Sequence, residues 1–154
     1  MTPEIQARLS DLGLELPAAP APAANYVSFV QTGDLLHVSG QVAADASGFI
    51  IGKLGDSMDV DAGVAAAQRC ALSLLAQVNA ACDGDLSRLK RVVKLGGFVN
   101  CTSDFTDQPK VINGASDFFA AVLGDAAPHA RSAVGVSSLP FGVAVEIDGI
   151  FQID

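Results

Sequence analysis

The run His129-Ala130-Arg131-Ser132-Ala133-Val134-Gly135-Val136-Ser137-Ser138-Leu139-Pro140-Phe141-Gly142-Val143-Ala144-Val145-Glu146-Ile147-Asp148 decides the fold. It reads as two strands, 131–137 and 143–152, joined through Leu139-Pro140-Phe141-Gly142. In the second, Val143, Val145 and Ile147 alternate with Ala144, Glu146 and Asp148. That period of two belongs to a sheet whose faces differ, one buried and one not. A single arginine opens the first strand, and a single glutamate sits inside the second.

Working outward, Pro109 and Gly124 bracket a helix over 109–123, since proline suits a first helical position and glycine a stop. An extended Val- and Gly-rich run covers 91–100. The periodicity of Val64, Ala67, Ala71, Leu74, Leu75 and Val78 predicts a long helix over 61–81, started by Asp59 or Asp61. Further back lie a short strand at 49–51 and two strands, 26–31 and 35–39, turning at Gly33-Asp34. The chain opens with a short helix that Thr2 caps, Pro3 starts and Gly13 ends, burying Ile5, Leu9 and Leu12. A stiff Pro/Ala connector over 17–25 ties that helix to the body. The order predicts an α+β fold with two long helices on one face of a mixed sheet. One domain, 1–154, is expected, with residues 1–24 as helix and linker and 25–152 as core.

A chain of 154 residues, half of them apolar and 17% charged, has the composition of a folded domain. At this length it can bury roughly 68–70% of the surface its unfolded chain exposes. A mean hydropathy of +0.40 leaves few polar residues for the outside, which makes self-association plausible. The net charge of −8 opposes nucleic-acid binding, because neutralising phosphates supplies most non-specific affinity. Four of the nine basic residues (Arg88, Lys90, Arg91 and Lys94) cluster, and read as a solvated strand end. The N-terminus has neither the basic start nor the apolar stretch of a targeting signal, and no apolar run is long enough to span a membrane. Cys70, Cys82 and Cys101 have no metal or disulfide spacing, so a cytoplasmic protein with reduced, packed thiols is expected.

Several chemistries lack their residues. Gly48-Phe49-Ile50-Ile51-Gly52-Lys53 is one residue short of a phosphate-binding loop and lacks the following Ser or Thr. No dinucleotide fingerprint, nucleophile elbow or zinc motif is present. The two histidines have no ligand spacing: His37 reads as a hydrogen-bonded strand residue, and His129 as a loop residue near Arg131 able to tune its surroundings. No metal and no cofactor is expected.

The Arg131-Ser132 strand opening, the Leu139-Pro140 turn and Glu146 in the last strand closely resemble the C-terminal signature of the RidA/YjgF family. Tyr26 preceding Ser39-Gly40-Gln41, and Phe98-Val99 followed by Asp104-Phe105, add matches in the right order. The resemblance spans roughly residues 25–152; the N-terminal helix and linker resemble an addition found in one branch. It implies a chorismate-mutase-like fold, a homotrimer around a central barrel, and clefts between subunits that hydrolyse reactive 2-imino and enamine acids to 2-oxo acids and ammonia. Arg131 would grip the substrate carboxylate as a planar two-donor fork. Glu146 would hold or deprotonate a water, or pass a proton to the nitrogen, and Tyr26 would wall the cleft. Backbone near Ala133 and Gly40 would complete the cradle. The expected partners are further copies of the chain and a small carboxylate-bearing substrate. Two departures stand out: Ala133 occupies the position where many members carry Cys, and Gly135 replaces a common acidic residue. A trimeric carboxylate binder without turnover is therefore the alternative, with an endoribonuclease third. A strand-opening arginine can also be a surface ion-pair partner, and Glu146 also fits a solvent-facing or interface-pairing carboxylate.

Overall fold

The computed structural model describes residues 1–22 and 24–154. Ala23, inside the predicted connector, lies outside the described residues. Helix α1 (Pro3–Asp11) begins where predicted, with the Thr2 hydroxyl accepting from the Ile5 amide at 3.3 Å. Gly13 ends it as expected, but the leucine that is buried there differs. Gly13, at φ +67°, reverses the chain, so the Gly13 amide donates to Ser10 O and the Leu14 amide to Leu9 O. This pair of bonds satisfies the last carbonyls and folds Leu14 back beside Leu9. Leu14 is buried in consequence, while Leu12, the predicted stripe member, is exposed.

Strands β1 (Phe29–Thr32) and β2 (Leu35–Val42) form the expected hairpin, pairing from Phe29↔Val38 to Thr32↔Leu35 around Gly33-Asp34. Tyr26 falls before β1 rather than inside it, because the chain is still leaving the proline-rich connector. The short strand foreseen near residue 50 is a miniature hairpin, β3 (Ala44–Asp45) with β4 (Gly48–Phe49), and Ile51 instead bridges to Val143. Helix α2 (Val60–Ala81) is capped by Asp59, whose Oδ1 accepts from the Ala62 amide at 2.8 Å. Strand β5 (Leu89–Asn100), helix α3 (Gln108–Leu123), β6 (Ala130–Val136) and β7 (Val145–Ile153) complete the chain.

The main sheet runs β1-β2-β7-β5-β6, antiparallel except for the β5–β6 pair, so it is mixed as the element order implies. Strand β6 is an edge. Helices α2 and α3 cover one face, and α1 docks on α3. Leu36 from β2, Leu95 and Val99 from β5 and Ile147 and Phe151 from β7 meet Leu74 and Leu75 of α2 and Ile112 and Phe119 of α3, all fully buried. The Phe119 and Phe151 rings meet edge-to-face, 5.8 Å apart. The opposite face carries no helix. There His37 and Lys94 are exposed, with Val30 at 52% and Val134 at 47% exposure. The His37 side chain, expected to be hydrogen-bonded, has no hydrogen-bond partner among the described residues, because its strand position points away from the helical layer.

The basic cluster is a strand end whose charges are partly spent within the chain. Arg88 donates to Asp154 O through Nε at 2.8 Å and Nη2 at 2.5 Å, and Lys90 pairs with the Asp154 carboxylate at 2.5 Å. Lys53, the lysine of the incomplete phosphate loop, donates to Asn100 Oδ1 and Ser137 O, each at 2.6 Å.

Candidate functional site

Arg131 opens the edge strand β6 in register with Leu95, and Ala133 with Gly97. Paired residues share a face, so both lie on the side of α3. The Arg131 guanidinium donates through Nη1 to Asn113 Oδ1 at 2.9 Å and Ser116 Oγ at 3.0 Å, and through Nη2 to Pro109 O at 3.4 Å. Pro109, Asn113 and Ser116 stand four and three residues apart, one face of a helix. Among the described residues no acidic side chain comes within ion-pair distance of Arg131. The surface ion-pair reading therefore has no partner to support it. The guanidinium keeps a full positive charge, held in place by neutral groups.

Behind it, His129 Nδ1 lies 2.6 Å from Ala127 O and Nε2 lies 3.0 Å from Ser116 Oγ. A carbonyl only accepts, so the proton sits on Nδ1. In the neutral ring Nε2 then accepts the Ser116 hydroxyl, whose oxygen in turn accepts from Arg131. His129 thus steers Arg131 through one serine. Along the same edge, a side-chain carbon built on Gly135 would fall 2.6 Å from Cys101 Sγ and 2.7 Å from Gln108 Nε2. Those two side chains occupy the room that a larger residue at 135 would need.

Glu146 pairs with Phe98 and Val42 on the helix-free face. It lines a cavity of about 750 Å³ with Tyr26, Gly40, Phe49 and Phe141. Its carboxylate lies directly over Gly40, where a side-chain carbon would come within 2.2 Å of Oε1. Burial, and then the neighbouring Asp148 charge, holds its proton affinity above the ordinary value of 4.5. Such a group is suited to exchanging protons with a ligand. Cys70 lies behind this strand, its thiol 3.5 Å from Val145 O, and burial followed by the Glu146 charge pushes it far up. All three cysteines are free and buried.

The raised proton affinity has a measurable sign. Below the unfolded-state value Glu146 is protonated in both states. As pH rises through the higher folded-state value, its ionisation costs the folded state stability. Glu146→Gln, neutral throughout, should therefore melt at a temperature that gains on wild type as pH rises through that window and then levels off. Melting curves from pH 4 to 8 read this directly, and a pH-independent difference would contradict the burial argument.

Tyr26, Gly40 and Glu146 are thus brought together, while Arg131 and Ala133 lie on the other face of the sheet and do not meet them within one chain. Sequence reasoning missed Asn113 and Ser116, although two polar residues at helical spacing within the apolar α3 run were a usable signal. It also missed Phe49, Phe141 and the connector as cavity walls, for which no local signal exists.

A helix-backed mixed sheet, with an edge arginine that meets no carboxylate among the described residues and a protonatable glutamate on its free face, defines a class of small α+β proteins. Residues 6–146 match the family described as “YjgF/chorismate_mutase-like, putative endoribonuclease”, and the chain belongs to this YjgF/RidA-like family. It is 52% identical over 152 residues to Protein TCP17 of Trypanosoma cruzi, covering 97% of this chain and 94% of that one. More distantly, it is 28% identical over 143 residues to a 2-iminobutanoate/2-iminopropanoate deaminase of Dermatophagoides farinae, covering 92% and 95%. Among solved structures, the protein Atu1372 from Agrobacterium tumefaciens, of unknown function, superposes with a TM-score of 0.92 at 49% identity, over 98% of this chain and 93% of that chain. The helical N-terminal segment is included in that overlap. Among the described residues no helix is long and apolar enough to cross a membrane.

Proposed function

We propose that the protein hydrolyses reactive 2-imino and enamine acids to 2-oxo acids and ammonia, in clefts that form between copies of a homotrimer. The observation that carries this reading is Arg131: a guanidinium fixed by Asn113 and Ser116 and lacking any carboxylate partner among the described residues. Its two-donor fork matches a substrate carboxylate. The deaminase relative from the mite supports the same chemistry.

Within a cleft, Arg131 places the carboxylate and hence the adjoining C=N carbon. Glu146 takes a proton from water as the water oxygen bonds to that carbon, the C=N electron pair moves to nitrogen, and Glu146 returns the proton there to give a carbinolamine. The carbinolamine hydroxyl then passes its proton by way of Glu146 to the amino group, the C–N electron pair leaves with nitrogen as ammonia, and the oxygen is left as the 2-oxo C=O. The two faces of one sheet hold the two halves of this machinery, so a second copy must bring its Glu146 cavity against the Arg131 edge. The apolar residues left uncovered on the helix-free face support such packing.

Imine generated in situ by an amino-acid oxidase tests the reading. Faster 2-oxo acid release with the protein than without it is expected, together with a trimer mass by light scattering. No acceleration across several imino acids would leave the second reading, a carboxylate binder without turnover, which Ala133 in the usual Cys position favours. An endoribonuclease is less supported by a chain of net charge −8 whose basic cluster is partly spent on Asp154.

Gly40→Ala isolates the role of Glu146. The added methyl would displace a carboxylate that can swing away, so stability should change little. A shift of about 1 Å in a reacting group can cost about 10²-fold in rate, and kcat should fall by about that factor. Unchanged kcat would remove Glu146 from the chemistry.

A further inference from the structure

We infer that the cavity beside Glu146 selects 2-imino acids with a bulky apolar side chain, and that the Pro/Ala connector is the wall that sets this preference. The inference rests on the deaminase reading and names the substrate class for the same site.

Size is the first argument. A cavity of about 150 Å³ already holds a benzene ring, and the cleft beside Glu146 measures about 750 Å³. In a single chain, before a second copy closes over it, a side chain of one or two carbons would fill little of this space.

The chemistry of the walls is the second. Pro20, Ala21, Pro22 and Ala24 of the connector line the cleft together with Phe49 and Phe141. None of the described residues that this chain contributes to the lining is basic, so a second carboxylate on the substrate would meet no counter-charge from this wall and would face Glu146. Two polar side chains of the wall are already engaged by the backbone. Ser39 Oγ donates to Val27 O at 2.7 Å and Gln41 Nε2 to Ser39 O at 2.9 Å.

The third argument is that both walls are held in place. Gln77, only 2% exposed in α2, donates to Pro20 O at 2.6 Å and lies 3.5 Å from Gln41 Oε1. An amide buried this deeply is costly without such partners, and its bond fixes the connector against the Ser39-Gly40-Gln41 bulge. Phe49 and Phe141 stack 4.6 Å apart at 8°, although 48% and 57% exposed. Phe141 holds φ +60°, a region that bulky residues rarely adopt. Backbone strain of this kind is retained where the surroundings enforce it. Here it presents an aromatic plate to the cleft, suited to stacking on an apolar or aromatic group.

The test compares kcat/KM for imines made from phenylalanine, leucine, alanine and glutamate, in wild type, Phe141→Gly and Gln77→Met. Glycine accepts the Phe141 backbone conformation, and a ratio between two substrates on one preparation does not depend on the folded fraction. Wild type should favour the phenylalanine imine over the alanine imine by about 10-fold or more, the scale on which apolar pockets discriminate. Both variants should reduce that ratio several-fold through KM for the phenylalanine imine. Turnover of all four imines at similar kcat/KM, or preference for glutamate, would overturn the inference while leaving the deaminase reading intact. If no imine is turned over, calorimetric binding of phenylpyruvate, pyruvate and 2-oxoglutarate decides. Tighter phenylpyruvate binding, weakened in Phe141→Gly, would uphold the cavity's preference while the deaminase reading falls. Equal affinities would overturn the preference as well.

Discussion

If the proposed hydrolysis of 2-imino acids holds, replacing Arg131 by alanine should lower kcat/KM by about 10²–10⁴-fold. Hydrogen bonds to charged groups contribute about 1.5–3 kcal/mol each, and a fork makes two, so about 3–6 kcal/mol of substrate binding is lost. Arg131→Lys keeps the charge but loses the planar fork, and should recover only part of the loss. The fold should persist in both, because Asn113 and Ser116 lie at an edge where water can replace the guanidinium. Steady-state kinetics with melting curves on the same samples separate the two effects. An alanine variant with wild-type kcat/KM would show that the carboxylate is held elsewhere.

The second large effect is on stability. Gly114 on α3 lies so close to α2 that a side-chain carbon there would sit 2.1 Å from the Val64 carbonyl oxygen. Its neighbour is backbone and cannot rotate aside, so Gly114→Val must force the two helices apart across the core. Overpacking of this kind costs about 1–3 kcal/mol and occasionally more. The backbone clash puts Gly114→Val at about 3 kcal/mol or above, a fall in Tm of roughly 6–12 °C for a chain of this size. Gly33→Ala is the comparison. Nothing lies within 4 Å of that position, so only the positive φ is penalised, at about 1 kcal/mol. A Gly114→Val melt within 2 °C of wild type would mean that the helices can separate freely.

Much of the architecture was legible because its signals are local. Alternation around Glu146 marks β7, helical spacing from Ala67 to Val78 marks α2, and Pro109 with Gly124 brackets α3. Errors arose where a single turn residue redirects the chain: Gly13 exchanges Leu12 for Leu14 in the core, and the connector keeps Tyr26 out of β1. The candidate site residues were visible as residue types, but their grouping was not. Whether Arg131 and Glu146 share a face depends on strand register, and a slip of one residue reverses the answer. Sequence gives no register for β6 against β5, since that parallel pair is joined across α3 rather than by a tight turn. The cavity walls were equally hidden, because Pro20 and Phe141 approach each other only after the sheet has formed.

The connector between α1 and β1 is attached at both ends, by Ile5 and Leu9 in the core and by the Pro20–Gln77 bond, yet residues 14–22 belong to no helix or strand. Its side chains are therefore exempt from the periodicities that constrain the sheet and helices. Substitution, insertion or exchange of this strap between homologues can reshape one wall of the cleft while the scaffold and its charged groups stay fixed. If the connector sets ligand preference as proposed, preference and fold rest on separable parts of the chain, and the strap is the part free to change without disturbing a helix or strand.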